Sequence, residues 1–125
     1  MSDELKLRYK AEARFMRALY YFTLMDFFGP VPVYDENTIV AEDFMNMLEP
    51  RKSLEEVRKF IIDDLDNADT YLPTEWDASN AGRATKAAAM SLKGKVLLYA
   101  KEYEAAKECF EAVVTNKEGK YGEKK

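Results

Sequence analysis

A chain of 125 residues, 47% apolar and 34% charged, has the composition of one folded domain and is large enough to bury roughly two thirds of its unfolded surface. Its 19 Lys and Arg against 23 Asp and Glu give a net charge of −4, so no global cationic field gathers nucleic acid. There is no histidine, which excludes Ser-His-Asp and Cys-His catalytic sets and every His-containing zinc site within the chain. The single cysteine, Cys109, has no partner for an internal disulfide, and no apolar run nears the roughly 20 residues that span a bilayer.

Residues 3 to 28 lack Pro and Gly, and Leu5, Tyr9, Met16, Tyr20, Leu24 and Phe28 recur at three- and four-residue steps, which predicts one long helix. From Phe15 onward Leu19, Phe22, Met25 and Phe27 make the helix apolar on nearly every side, the pattern of a rod enclosed by neighbours. Gly29 takes the position of a left-handed C-terminal cap, and Pro30 and Pro32 then impose extended backbone. Residues 29 to 52 carry no clear periodicity; a short helical turn is expected from about Ala41 to Leu48.

Ser53 followed by Glu56 forms a capping box that opens a second helix. Its expected buried stripe is Leu54, Val57, Ile61, Leu65, Ala68 and Leu72, and Pro73 ends it. After a turn-rich segment from 73 to 84, Thr85 caps a third helix running to about Ala100. Gly94 inside that helix costs roughly 1 kcal/mol relative to Ala, so it implies close packing by another helix. A tight turn near Lys101 and Glu102 leads to a fourth helix with Tyr103, Ala106, Phe110, Val113 and Val114 inward, ending near Asn116. The charged tail from 117 to 125 is expected to fray.

The fold class expected is therefore all-α, about four main helices in antiparallel hairpins. Tetratricopeptide spacing tests for a repeat: Gly94, Ala106 and Phe110 stand at its small, small and aromatic positions, and Ile61, Leu65, Ala68 and Pro73 match a second helix and its stop. The 24-residue connection after the first helix is too long for a regular repeat. The expectation is a decorated array over residues 1–116.

The run from Ala11 to Phe22, Ala-Glu-Ala-Arg-Phe-Met-Arg-Ala-Leu-Tyr-Tyr-Phe, followed by Phe28-Gly29-Pro30-Val31-Pro32, closely resembles the signature helix of the SusD/RagB family. Ile61 to Pro73 and then Gly82-Arg83-Ala84-Thr85-Lys86-Ala87-Ala88 resemble later family segments in the same order. The signature scaffold positions here are Arg14, Phe15, Arg17, Tyr20, Tyr21, Gly29, Pro32, Gly82 and Arg83. The resemblance implies a surface-exposed outer-membrane lipoprotein of Bacteroidota with tetratricopeptide-like helices. It implies capture of oligosaccharides or other nutrients, docking as a lid on a TonB-dependent SusC-type transporter, and neither catalysis nor a cofactor. Family members are several times longer and begin with a signal peptide and a lipidated cysteine, so this chain is expected to be a piece of a longer protein; Cys109, within a helix, does not match that anchor.

Candidate chemistry is sparse. Asp63, Asp64, Asp66 and Asp69 fail the loop grammar of an EF-hand and are expected on a solvated face. Gly94-Lys95-Val96 lacks the remaining residues of a phosphate loop. Glu102, Glu104, Glu108 and Glu111 would need to face one another across a cleft to serve glycoside hydrolysis. Neither a catalytic set nor a metal site is expected. Arg14 and Arg17, on an apolar helix, require carboxylate or carbonyl partners. Trp76, beside Asp77 and Asn80, is the ligand candidate, because a rigid aromatic face stacks on a sugar ring while polar neighbours bind its hydroxyls; the alternative is a tryptophan folded onto the helices. The faces of Phe15, Tyr21, Phe22 and Phe27 left uncovered by three other helices should form an apolar patch, open to solvent or buried on a second copy. A rival to nutrient capture is a free-standing helical adaptor binding a peptide or protein in a concave groove.

Overall fold

A computed structural model describes residues 1–38, 50–116 and 119–122. Four helices follow in chain order: α1 (Asp3–Phe28), α2 (Leu54–Tyr71), α3 (Lys86–Tyr99) and α4 (Tyr103–Thr115), with one 3₁₀ turn at Ala78–Asn80 between α2 and α3. No strand occurs among the described residues. The short helical turn expected from Ala41 to Leu48 falls outside them.

Local chemistry sets the helix ends where the sequence places them. The Ser2 hydroxyl accepts the Leu5 amide at 3.2 Å, Ser53 accepts that of Glu56 at 3.1 Å, and Thr85 accepts that of Ala88 at 3.4 Å. The Ser53 box closes differently from expectation: the Ser53 hydroxyl donates to the Glu56 carboxylate at 3.3 Å, where the capping box has the glutamate reaching the serine amide. Gly29 ends α1 at φ 70° and ψ −137°, a positive-φ turn outside the left-handed helical region. Leu72, extended at φ −69° and ψ 147°, precedes Pro73 as steric clash with the proline ring demands. Since α2 has no basic residue in its last turn, the Lys86 ammonium from α3 supplies the missing cation, donating to the Asp69 and Thr70 carbonyls.

Packing is antiparallel in sequence order. Ala11 early in α1 clusters with Ala68 late in α2, with Leu72 just past its end and with Ala89 at the start of α3. Ala18, Phe22 and Met25 late in α1 cluster with Val57, Ile61 and Leu65 of α2 and with Val96 of α3. Phe15 touches both clusters and joins them. The fully buried Val57, Ile61, Leu65 and Leu72 each contribute about 1.5–3 kcal/mol of transfer free energy.

Three burial expectations are corrected. On α1 the rod expected to be enclosed by neighbours is open along one side: Tyr9, Met16, Tyr20, Leu24 and Phe28 are exposed, and the buried seam is Ala11, Ala18, Phe22 and Met25, whose small residues let α2 approach. The uncovered surface is accordingly shifted, with Phe22 buried, Phe15 and Tyr21 half-buried, and Phe27 exposed beside Phe28. On α2 Leu54 is exposed, whereas Asp64 is 2% accessible. On α4 the buried residues are Ala106 and Cys109, while Tyr103 and Val114 face solvent.

The α3–α4 turn is tight, with Lys101 at φ 64° and the Glu102 amide donating to Leu97 O at 2.9 Å. The close approach implied by Gly94 is present: a Cβ built there would lie 2.7 Å from the Phe110 ring, inside any tolerable contact.

Candidate functional site

The arginines of the α1 signature converge on a carboxylate from α2. Arg17 Nε and Nη2 donate to Asp64 Oδ2 and Oδ1, both at 2.7 Å, a bidentate fork of the strongest hydrogen-bonding kind in proteins. Arg17 Nη1 donates to Glu36 Oε2 at 2.9 Å, and the guanidinium lies 4.6 Å from the Phe60 ring centroid. Arg14 reaches the same two acids less closely, 3.3 Å to Glu36 and 3.5 Å to Asp64. The hydrogen bonds it donates to Asp64 and Glu36 raise the Arg17 pKa despite its partial burial. The bond from Arg17 holds the Glu36 carboxyl at about 2, well below the usual carboxylate range.

This cluster fixes the segment after α1. Glu36 is tied to α1 by both arginines, the Tyr34 amide donates to the Tyr21 hydroxyl at 2.9 Å, and the Lys52 amide donates to Val31 O at 3.1 Å. Tyr21 also packs edge-on against Phe60, centroids 5.3 Å apart. Among the signature positions, Arg14, Phe15, Arg17 and Tyr21 thus bind α1 to α2 and to the following segment. Gly29 provides the positive-φ turn, Pro32 is half-buried beside buried Val31, and Tyr20 points outward, 61% exposed. Asp64 was expected on a solvated acidic face and is instead the buried acceptor of this cluster.

The second group of candidates lies at the other junction, between α2 and α3. Trp76 donates through its indole N–H to Ala84 O at 2.7 Å, and the Arg83 guanidinium sits 5.0 Å from its ring centroid and 5.4 Å from that of Tyr9. Arg83 Nε pairs with Glu12 at 2.9 Å and Nη1 with Asn80 Oδ1 at 2.9 Å. Asp77 Oδ1 accepts from the Asn80 amide, the Asn80 side chain and the Ser79 hydroxyl, and the Asn80 bonds chiefly hold its pKa below the ordinary value. Gly82 supplies a φ of 95°. Trp76, Asp77 and Asn80 are therefore adjacent, as expected, and each already has a partner within the loop.

Between α1 and α2 lies a groove of about 480 Å³ lined by Leu7, Lys10, Ala13, Arg14, Arg17, Glu36 and Asn67. Lys10 and Asn67 did not emerge from the sequence; Lys10 stands one turn before Arg14, so helical spacing carried the signal for it. No group of three or more metal-ligating side chains occurs among the described residues. No described helix is long and apolar enough to cross a membrane. Cys109, buried and with its pKa raised by burial, is packed against the α3 side rather than activated.

Residues 1–98 match the SusD-like family described as starch-binding and associating with outer membrane. The chain is 37% identical over 98 residues to a SusD-like protein of Bacteroides ovatus, covering 78% of this chain and 17% of that one. It is 36% identical over 105 residues to the starch-binding protein SusD of Bacteroides thetaiotaomicron, covering 82% and 17%. Among solved structures, a laminarin-binding SusD-like protein superposes with a TM-score of 0.82 at 30% identity, covering 90% of this chain and 24% of that one. The chain thus spans about a sixth of the length of these curated relatives. Family profile, sequence relatives and helical architecture agree: this chain belongs to the SusD-like family.

Proposed function

We propose that this chain is the helical scaffold of a non-enzymatic glycan-binding protein in a SusC/SusD-type outer-membrane uptake system. The observation that carries the reading is the family match over residues 1–98. Relatives named for starch and for laminarin share the scaffold, so glycan identity is set largely by features that vary upon it. Binding needs no titrating nucleophile, and the strongest ionic group here, Arg17 with Asp64, serves to order backbone.

Surface placement, lipid anchorage and docking on a TonB-dependent SusC-type transporter belong to the same proposal. The exposed Tyr20, Phe27 and Phe28 of α1 form the face offered for that docking or for a second copy. Residues 1–116 are assigned to the helical domain and 117–125 to its tail, of which Lys120 meets Asp69 at 2.7 Å. Trp76 with Asp77 and Asn80 remains the sugar-contact candidate, reached by displacing Arg83 from the indole face.

The test uses the complete protein that contains this chain, purified for a glycan array and for pull-down with any SusC-type transporter encoded beside it. Retention of an intact oligosaccharide together with transporter association is expected. Absence of both, with capture of a soluble protein or peptide instead, would replace this reading with the helical adaptor, which the same exposed α1 face favours.

A further inference from the structure

Along one face of α1, Lys10, Arg14 and Arg17 follow at i, i+4 and i+7, so a chain with net charge −4 presents three cations in a row. Their hydrogen-bonding states differ. All three Arg17 nitrogens are engaged, by Asp64 and Glu36. Arg14 has one hydrogen bond, long at 3.3 Å to Glu36, and a 3.5 Å approach to Asp64 through Nε, leaving Nη1 without a partner among the described residues. The Lys10 ammonium and the Asn67 side-chain amide make no hydrogen bond or ion pair with any described residue. These unused donors, from two helices, line one concavity of about 480 Å³ with Leu7 and Ala13 as its apolar part, within the range of small-ligand sites.

Charges of both signs face this groove. The acid that lines it is Glu36, 59% exposed on its loop; Asp64, buried and held in its bidentate fork, does not line it. Glu36 also shows what the arginines accept: both hold one carboxylate at their outer edge, planar geometry that guanidinium groups match better than ammonium.

We propose that the groove between α1 and α2 binds a uronic-acid-bearing oligosaccharide, its carboxylate taken by Lys10 and Arg14, its hydroxyls by Asn67 and Glu36, and a ring face by Leu7 and Ala13. The inference rests on the capture reading and narrows the glycan class at one place. It contrasts with the Trp76 loop, whose polar groups are already satisfied internally.

The test titrates the complete protein that contains this chain with trigalacturonate, with maltotriose as the neutral match and with acetate as the lone carboxylate, following backbone amides by NMR. Trigalacturonate should shift Lys10, Arg14 and Asn67, weaken as salt rises toward 0.5 M, and bind about 3- to 5-fold more weakly to Lys10→Gln, which removes an exposed charge that has no partner among the described residues. Arg14→Gln should cost about 10-fold. Equal affinity for maltotriose, equal affinity for acetate, or an unchanged affinity in Lys10→Gln would each overturn the proposal. Failure of the capture reading would show separately, as a complete protein that retains no glycan on the array.

Discussion

The two helical hairpins are held together by opposite means. Between α1 and α2 the junction contains a buried ion pair and aromatic edges, and a long connection must be tied down by Glu36 and Tyr34. Between α3 and α4 the junction is steric: a glycine admits a phenylalanine ring, and a turn centred on Lys101 joins the helices directly. A short connection enforces antiparallel pairing at little entropic cost, so packing suffices there. A long one leaves orientation open, and directional bonds from Arg17 to Asp64 and Glu36 specify it.

Removal of one partner of the ion pair should give the largest effect. Asp64→Ala leaves Arg17 partly buried without its main acceptor and should destabilise by about 3–5 kcal/mol, measured by urea unfolding. The double variant Arg17→Met with Asp64→Leu should recover most of that loss; if it does, the pair specifies geometry rather than supplying net stability. Gly94→Ala comes next, at about 1–3 kcal/mol, because its Cβ meets the Phe110 ring. In a Phe110→Ala background the same change should be neutral or stabilising by up to about 1 kcal/mol, since only helix propensity remains. Equal costs in both backgrounds would show that the second hairpin is not steric in origin.

Smaller effects separate helix initiation from the tether. Ser53→Ala removes the α2 cap and should cost about 1 kcal/mol in thermal unfolding. Glu36 has a folded pKa of about 2 against an ordinary 4.5. Its contribution is therefore complete above about pH 4.5 and is lost as pH falls through 2. An NMR titration should find the Tyr34 amide moving with a midpoint near 2 in the wild type, and Arg17→Gln should return the Glu36 midpoint toward 4.5. The stability change from Glu36→Gln should be the smallest of the series, since the group is mostly exposed.

What could be read in the sequence divides along the same line. Helix ends obey short-range rules, so Ser53, Thr85, Pro73 and Gly29 mark them correctly, and the glycine at 94 announces its close contact. Burial direction on α1 is a long-range property. A rod with apolar residues on nearly every side gives periodicity no preferred face, although Ala11, Ala18, Phe22 and Met25 at seven-, four- and three-residue steps do trace a seam. Similarly, the need of Arg14 and Arg17 for a carboxylate is legible, but four aspartates on α2 compete for the role. Asp64 lies three residues after Ile61 and four before Ala68, inside the apolar stripe, and that position distinguishes it from Asp63 and Asp66. The Trp76 neighbourhood is legible as a cluster; the Arg83 guanidinium over its ring depends on chain return after Gly82.

The central claim is that these helices belong to a protein that captures glycan without cleaving it. Incubating the complete protein with a labelled oligosaccharide library, then separating bound from free and sizing both fractions, tests it most directly. The account predicts one oligosaccharide class retained at its original length. Shortened products in either fraction, or no retention of any sugar, would contradict it.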